Sequence, residues 1–143
     1  MNFKILGVPQ PKQSFKFAIR HNKDGGQYVS KYQDGKVLGD EKDIVAQIVE
    51  QLPRNHVPWK GGVMIRIQYV FSPPNAFSKK SMERLRAGEK FYKTTKPDQD
   101  NLDKALFDAM QGRVFINDSQ ICSRLSEKVY GEIPRTEISM KHL

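Results

Sequence analysis

The sequence has few of the residues that build disulfide frameworks, zinc sites and membrane spans. Only one of its 143 residues is a cysteine, Cys122, which excludes an intrachain disulfide framework. The three histidines, His21, His56 and His142, share no metal-ligand spacing, so zinc has little support. No stretch approaches the ~20 apolar residues of a transmembrane helix, and the first residues lack the apolar region of a signal peptide. We therefore expect a cytoplasmic protein without a membrane partner.

Acidic residues are also scarce relative to basic ones. The chain has 24 Lys and Arg against 16 Asp and Glu, a formal net charge of +8. A basic chain favours a polyanionic partner such as nucleic acid, but many basic domains are merely soluble, and composition leaves both open. There is no glycine-rich phosphate loop of the ATPase type, so no nucleotide cofactor is expected. The length predicts one domain, with room for a real core.

The carboxylates that are present crowd into residues 96–110, which read KPDQDNLDKALFDAM. Because proline disfavours the helical conformation of the preceding residue, the chain should arrive extended, with Asp98 and Asp100 on one face. Gly112 is a plausible C-cap for the helix that follows. That helix is predicted from apolar residues that recur with a 3.6-residue period, at Leu102, Ala105, Leu106, Ala109 and Met110.

A third carboxylate could join this segment. Residues 113–117 alternate as in a strand leading back beside the helix, which would bring Asp118 to Asp98 and Asp100. Mg²⁺ is usually held by one or two carboxylates with water and substrate phosphates, so these oxygens would suffice. Each aspartate alone would more often be a turn or cap residue. Their convergence with Lys104 favours a metal site, whereas Asp103 is predicted to cap the helix.

Residues 96–110, followed by Asn117-Asp118-Ser119-Gln120-Ile121, resemble the signature of the RusA family of Holliday junction resolvases. The resemblance implies a RusA-like endonuclease domain over residues 1–143. It also implies a homodimeric, Mg²⁺-dependent endodeoxyribonuclease, common in phages and prophages, that cuts four-way DNA junctions by paired, symmetric incisions in recombination and repair. Mn²⁺ would substitute for Mg²⁺. Asp98, Asp100 and Asp118 would be the metal ligands, and with Lys104 the catalytic residues.

Basic residues are predicted to lead DNA to these carboxylates. They lie on a predicted helix over residues 78–88, in the segment that follows it, and after the Gly-Val-Pro-Gln-Pro start at residues 7–11. A solvated face would look the same, but adjacency to Asp98 favours contact with the phosphate backbone. The predicted DNA-binding residues are Lys12, Lys16, Lys79, Lys80, Arg84, Arg86, Lys90, Lys93 and Lys96.

Helix and strand signals together predict an α+β fold, a single domain with a mixed β-sheet and about three helices packed against it. Strands are expected over residues 3–8, 15–19 and 63–71, with two more after Asp118. Helices are expected from Asp40 to residue 52, from residue 78 to 88 and from Asp100 to 110. Packing, base stacking and dimer contacts remain alternatives for the aromatic residues, Trp59, Phe77, Phe91, Tyr92 and Phe107.

Two other functions remain open at this point. The chain could be a non-catalytic basic DNA-binding module that keeps its aspartates for folding, or a broader branched-DNA nuclease acting on flaps or forks. A Mg²⁺-dependent product excludes the first alternative. Cleavage of a four-way junction compared with a fork and a plain duplex separates the second.

Overall fold

The clearest apolar alternation in the sequence forms the central strand of the main sheet. In the computed structural model this strand, β4, spans Val63–Phe71, and its alternate residues 63, 65, 67, 69 and 71 are buried. It pairs in parallel with β5 (Ile121–Tyr130) on one side and antiparallel with β6 (Arg135–His142) on the other. The strand β1 (Asn2–Leu6) completes the order β1-β6-β4-β5. The prediction of a mixed sheet is therefore confirmed.

The structure describes the backbone of residues 1–12, 16–32 and 35–143, and the side chains of these ranges except residues 16–18, 30–32 and 35–39. The remaining elements are a two-stranded ribbon, three α-helices and a short 3₁₀ helix. They are β2 (Lys16–His21), β3 (Gln27–Tyr32), α1 (Gly35–Gln51), α2 (Lys79–Arg86), α3 (Gln99–Met110) and the 3₁₀ helix (Asp118–Gln120). This is the single-domain α+β fold predicted from the sequence. The predicted DNA contact of Lys16 concerns a side chain outside the described ones.

Two of the three helices cover one face of the sheet. The buried stripe of α3 packs with Ile48 of α1 against the buried residues of β1, β4 and β6. By contrast α2 has no buried residue, so it adds little to this core. Its N-terminus is nevertheless as predicted, because the Ser78 hydroxyl accepts a hydrogen bond from the backbone N–H of Ser81. Within the described ranges, no helix is both long and apolar enough to span a bilayer.

The helix α1 begins earlier than the sequence predicted. It starts at Gly35, so Asp40 lies inside the helix and the prediction that Asp40 is the N-cap is wrong. Residues 35–40 contain no proline, so nothing in them prevents the helix from extending toward its N-terminus. The two strands before it form a hairpin, in which β2 and β3 pair antiparallel from Lys16↔Tyr32 to His21↔Gln27.

The segment after α3 forms a turn, and the strand predicted over residues 113–117 is wrong. Gly112 adopts a left-handed conformation with φ of 76°, and the Met110 carbonyl accepts hydrogen bonds from the backbone N–H groups of Arg113 and Val114. Val114 and Phe115 are fully buried while Ile116 is 50% exposed, so burial does not follow the two-residue alternation that suggested a strand. The chain therefore stays at the C-terminal end of α3 and does not return along the helix.

Candidate active site

Two exposed carboxylates stand at the N-terminus of α3. Asp98 is the N-cap residue, in an extended conformation with φ of −69° and ψ of 142°, and Asp100 lies in the first turn. An N-cap aspartate ordinarily accepts a hydrogen bond from a backbone N–H of the first turn. The Asp98 side chain makes no such cap hydrogen bond. Its oxygens are therefore not engaged in capping the helix on which it stands.

The loop that carries Asp98 is held by strand β5. The Lys128 ammonium donates to the carbonyl oxygens of Thr95 at 2.7 Å and Pro97 at 2.8 Å. The backbone N–H of Lys93 donates to the Lys128 carbonyl at 2.9 Å. One residue beyond Asp98, the Gln99 side-chain amide donates to the carbonyl of Ser126. These contacts with β5 hold the backbone before Asp98 and the Gln99 side chain after it. The sequence alone gave no reason to single out Lys128.

Lys104 shares the exposed stripe of α3 with Asp100. Residues four apart on a helix are neighbours on its surface, and both side chains are exposed. Among the described residues, no salt bridge involves Lys104. The structure therefore places an ammonium group beside the acidic end of α3, as the sequence predicted.

Asp118 lies at the opposite end of the same helix. Its backbone N–H donates at 3.1 Å to the side-chain oxygen of Gln111, the C-cap residue of α3. Since α3 has 12 residues, its two ends are about 18 Å apart. The prediction that Asp118 reaches Asp98 and Asp100 within one chain is therefore wrong, because residues 111–117 turn at the helix end. Within the described ranges, no three Asp, Glu, His or Cys side chains form a group that could hold one metal ion.

Three of the basic residues predicted to bind DNA are neutralised by neighbouring carboxylates. Arg84 pairs with Glu89, Arg86 with Glu132 at 2.7 Å, and Lys90 with Glu127 at 2.9 Å. The hydrogen bonds of Glu127 to Lys90 and Gln68 lower the pKa of this carboxyl, and the same pairing raises the pKa of Lys90. Fewer basic side chains are consequently available to bind DNA than the count of lysines and arginines suggests.

Lys12 also forms ion pairs with carboxylates of the same chain. Its ammonium lies 3.2 Å from both Glu41 of α1 and Asp108 of α3. Partial burial opposes the charge, but the two carboxylates outweigh it and raise the pKa of Lys12. Lys12 therefore joins the two helices electrostatically, a role that competes with the predicted phosphate contact.

The predicted cations that remain lie close to Asp98 in the chain or on α2. Lys93 donates to the Thr95 hydroxyl at 2.8 Å and sits 5.2 Å from the ring centre of Phe71. For the others, no salt bridge is found among the described residues, and all three are exposed: Lys79, Lys80 and Lys96. These three cations are the ones best placed to meet a phosphate backbone.

One charged cluster beside α3 was missed in the sequence. Asp103 is 2% exposed, so the prediction that it caps the helix is wrong. It accepts hydrogen bonds from the Tyr69 hydroxyl at 2.7 Å and the Ser126 hydroxyl at 3.0 Å, and it lies 3.4 Å from the Arg124 guanidinium. Burial, and then the Asp103 charge, raises the pKa of Tyr69. Among these residues, only Asp103 falls within the signature.

Most of the aromatic residues considered for stacking or for a dimer contact are packed. Phe107 is 8% exposed and belongs to the core, so packing is the alternative that the structure supports for it. Phe77 and Phe91 meet edge to face at 5.3 Å, and Trp59 stacks on His142. Tyr92 is 60% exposed and is the one of the five with a largely exposed ring.

Comparison with known proteins identifies the family of this chain. The chain is 26% identical over 148 residues to YqaN of Bacillus subtilis (strain 168), a protein described as uncharacterized, and the match covers all of this chain and 96% of that protein. The family profile described as endodeoxyribonuclease RusA matches residues 7–141. That range contains the α3 carboxylates, Lys104 and Asp118. The chain therefore belongs to the RusA family of Holliday junction endodeoxyribonucleases.

Proposed function

We propose that this protein resolves four-way DNA junctions as a Mg²⁺-dependent endodeoxyribonuclease in recombination and repair, with residues 1–143 acting as one RusA-like domain in the cytoplasm. The observation that carries the proposal is the N-terminus of α3, where Asp98 leaves its carboxylate unused in capping and Asp100 stands beside it. Family membership supplies the reaction class. The exposed lysines around this end supply the attraction for DNA.

The two carboxylates fit a divalent metal ion. Asp98 and Asp100 offer hard oxygen donors, and Mg²⁺ needs only one or two carboxylates when water and phosphate oxygens fill the other positions. Asp98 and Asp100 would hold Mg²⁺, with Mn²⁺ accepted in its place. When bound, the ion supplies Lewis-acid stabilisation of the phosphate and activation of the attacking water.

Lysine side chains of this chain would bind the phosphates of the DNA. Lys104, one turn after Asp100, would offset negative charge that develops on the scissile phosphate or orient the attacking water. Lys79, Lys80, Lys93 and Lys96 would hold the flanking backbone, since their charge is needed to bring a polyanion toward carboxylates. Lys128 keeps the Asp98 loop in place through its two carbonyl contacts.

Resolution of a junction needs two incisions, which is the reason to propose a homodimer. A two-fold dimer presents two identical sites to a pseudo-symmetric four-way junction. Such a dimer would also allow Asp118 of one copy to reach the site of the other copy. Since Asp118 stands about 18 Å from Asp98 along α3, a site that uses all three aspartates would be assembled from two copies of the chain.

The proposal is tested with Asp98→Asn and Asp100→Asn. Each change removes a metal-binding carboxylate while keeping the size of the side chain, so we expect junction binding to persist and cleavage in Mg²⁺ to be lost. The assay uses a labelled synthetic four-way junction with a titration of Mg²⁺ and of Mn²⁺. Asp43→Asn is the matched control, because Asp43 is an exposed aspartate on α1 and should leave cleavage unchanged.

The same assay separates the other functions. Binding without any metal-dependent product from the unmodified chain would show a non-catalytic DNA-binding module. Equal cleavage of a fork, a flap and the junction would show a broader branched-DNA nuclease. Full activity of Asp98→Asn and Asp100→Asn would show that the catalytic carboxylates lie elsewhere.

A further inference from the structure

A charged cluster with no role in the proposed metal site lies beside α3. Asp103 is 2% exposed, and both of its oxygens are engaged. Its Oδ1 accepts the Tyr69 hydroxyl at 2.7 Å, and its Oδ2 accepts the Ser126 hydroxyl at 3.0 Å. The Nη1 atom of Arg124 lies 3.4 Å from Oδ2. Burying a carboxylate costs free energy unless it is paired in this way. The proposed metal site gives this buried cluster no function.

Arg124 differs from the other members of the cluster in its exposure. Asp103 is buried, whereas the Arg124 side chain is 50% exposed. A guanidinium has five N–H donors in a fixed plane, and one contact with Asp103 uses only part of them. The rest of the group therefore faces solvent while one edge is held by a buried anchor.

Strand β5 places Arg124 beside the N-terminal half of α3, where it pairs with Asp103. Alternate residues of a strand share a face, so Arg124, Ser126 and Lys128 lie on the same face of β5. Lys128 bonds to the loop that precedes Asp98, and Ser126 bonds to Asp103. Asp103 lies less than one turn after Asp100 and directly before Lys104. The guanidinium thus flanks the helix stripe that carries Asp100 and Lys104.

We propose that Arg124 is a further catalytic residue that binds the phosphate of the DNA strand being cut, and that Asp103, with Tyr69 and Ser126, is the positioning residue that orients it. The proposal rests on the proposed nuclease function and deepens it. Arginine matches the geometry of phosphate with two parallel N–H donors, and a pre-oriented donor stabilises charge that develops during cleavage. Arg124 donates hydrogen bonds and transfers no proton.

The competing explanation is that Arg124 only neutralises Asp103. A test with Arg124 alone does not separate the two roles, because Arg124→Gln leaves a buried carboxylate without its cation and can unfold the chain. The double variant Asp103→Asn/Arg124→Gln removes both charges and keeps similar side-chain sizes. The amide oxygen of the new Asn can accept one of the two hydroxyl hydrogen bonds, and its NH2 group can donate to the oxygen of the other hydroxyl.

The double variant should fold, with a melting transition close to that of the unmodified chain. It should cleave the four-way junction about 100-fold more slowly at saturating protein, because one electrostatic donor to the phosphate is lost. Its junction binding should depend less steeply on salt, with the slope of log K against log salt smaller by about 0.9, the value for one phosphate contact. Cleavage within threefold of the unmodified rate would overturn the proposal and leave Arg124 a structural counter-ion.

Two further variants sharpen the test. Arg124→Lys keeps the charge opposite Asp103 but lacks the planar fork, so it should remain folded and still lose more than about tenfold in cleavage rate. Arg66→Gln is the matched control, since Arg66 is an exposed arginine on the face of β4 turned away from α3 and should leave cleavage and the salt slope unchanged.

The salt slope keeps this inference distinct from the proposed function. If the unmodified chain binds the junction but cuts nothing in Mg²⁺ or Mn²⁺, the nuclease proposal fails while the slope still reports the phosphate contact. An unchanged slope in the double variant overturns the contact, whatever the cleavage result. A chain that binds no DNA at all overturns both proposals.

Discussion

At the scale of single residues, Asp103 is held in a buried position by partners distant from it in the sequence. Its two hydroxyl donors stand 34 residues before it and 23 residues after it, on β4 and β5. Asp103 and Phe107 lie at the margin of the α3 apolar stripe, where the helical period does not decide between core and solvent. The sequence placed Asp98, Asp100 and Lys104 together because local spacing determines their position. It misjudged Asp103 because its burial depends on the sheet.

The Tyr69 hydroxyl tests how much this cluster contributes to stability. Tyr69→Phe removes one donor and leaves the Asp103 Oδ1 atom without its 2.7 Å hydrogen bond in a buried site. We expect the free energy of unfolding to fall by about 1–3 kcal/mol, the usual cost of leaving a buried acceptor unsatisfied. Urea denaturation followed by circular dichroism measures the change.

Tyr130→Phe is the control for the loss of a hydroxyl. Tyr130 is half-buried, and its ring meets Phe77 edge to face at 5.3 Å, so the packing survives the change. We expect a stability within about 0.5 kcal/mol of the unmodified chain. A Tyr69→Phe variant as stable as Tyr130→Phe would mean that Asp103 does not need this donor.

At the scale of elements, α1 protects an edge of the sheet. Among the described strands none lies beside the outer edge of β1, yet the backbone groups of Lys4 and Leu6 on this edge are paired. Gln51 accepts from the N–H of Lys4 at 2.8 Å and donates to the carbonyl of Lys4 at 2.8 Å. Gln47 makes the same two contacts with Leu6 at 2.7 and 3.1 Å. Two glutamine side chains one helical turn apart thus take the place of a neighbouring strand, which blocks pairing at this edge.

Hydrogen exchange tests this protection. In the double variant Gln47→Ala/Gln51→Ala, the amides of Lys4 and Leu6 should exchange faster, because each loses its acceptor. The amides of Phe3 and Ile5 should stay protected, since alternate N–H groups of β1 point toward β6. Equal acceleration at all four positions would indicate that the whole strand opens and that the glutamines do not act as local acceptors.

The element scale also shows where sequence patterns were sufficient. The strand β4 was predicted with its observed limits, and α2 and α3 lie within one or two residues of the predicted ranges, because their apolar periods and caps are local. The turn after α3 was mistaken for a strand because Val114 and Ile116 lie two residues apart, as inward-facing strand residues do. In the structure Ile116 is 50% exposed, and Phe115 between them is fully buried. A two-residue spacing over five residues does not establish a strand, and this error misplaced Asp118.

At the scale of the whole molecule, the net charge of +8 is unevenly available for binding DNA. Arg84, Arg86 and Lys90 form ion pairs with carboxylates of the same chain. Composition therefore overstated the width of the cationic surface, and the pairs that reduce it depend on tertiary contacts. Arg86 meets Glu132, and Lys90 meets Glu127, across 46 and 37 residues.

A dimer with shared sites makes a prediction that a monomeric site does not. One chain carries Asp98→Asn/Asp100→Asn and the other carries Asp118→Asn; each alone should be inactive. If a site takes Asp98 and Asp100 from one copy and Asp118 from the other, a mixed dimer contains one intact site and one that lacks all three carboxylates. The mixture should therefore nick a junction on one strand without resolving it.

A supercoiled plasmid with an extruded cruciform distinguishes these products, since two opposed incisions give linear DNA and a single incision gives a nicked circle. The mixture should yield nicked circles, and the unmodified chain should yield linear DNA. The matched control mixes Asp98→Asn with Asp100→Asn, which leaves no intact site in either arrangement. An inactive first mixture, with mixed dimers verified by two different affinity tags, would contradict the shared site. Asp118 would then have no route to the metal, because the length of α3, about 18 Å, separates it from Asp98 in its own chain.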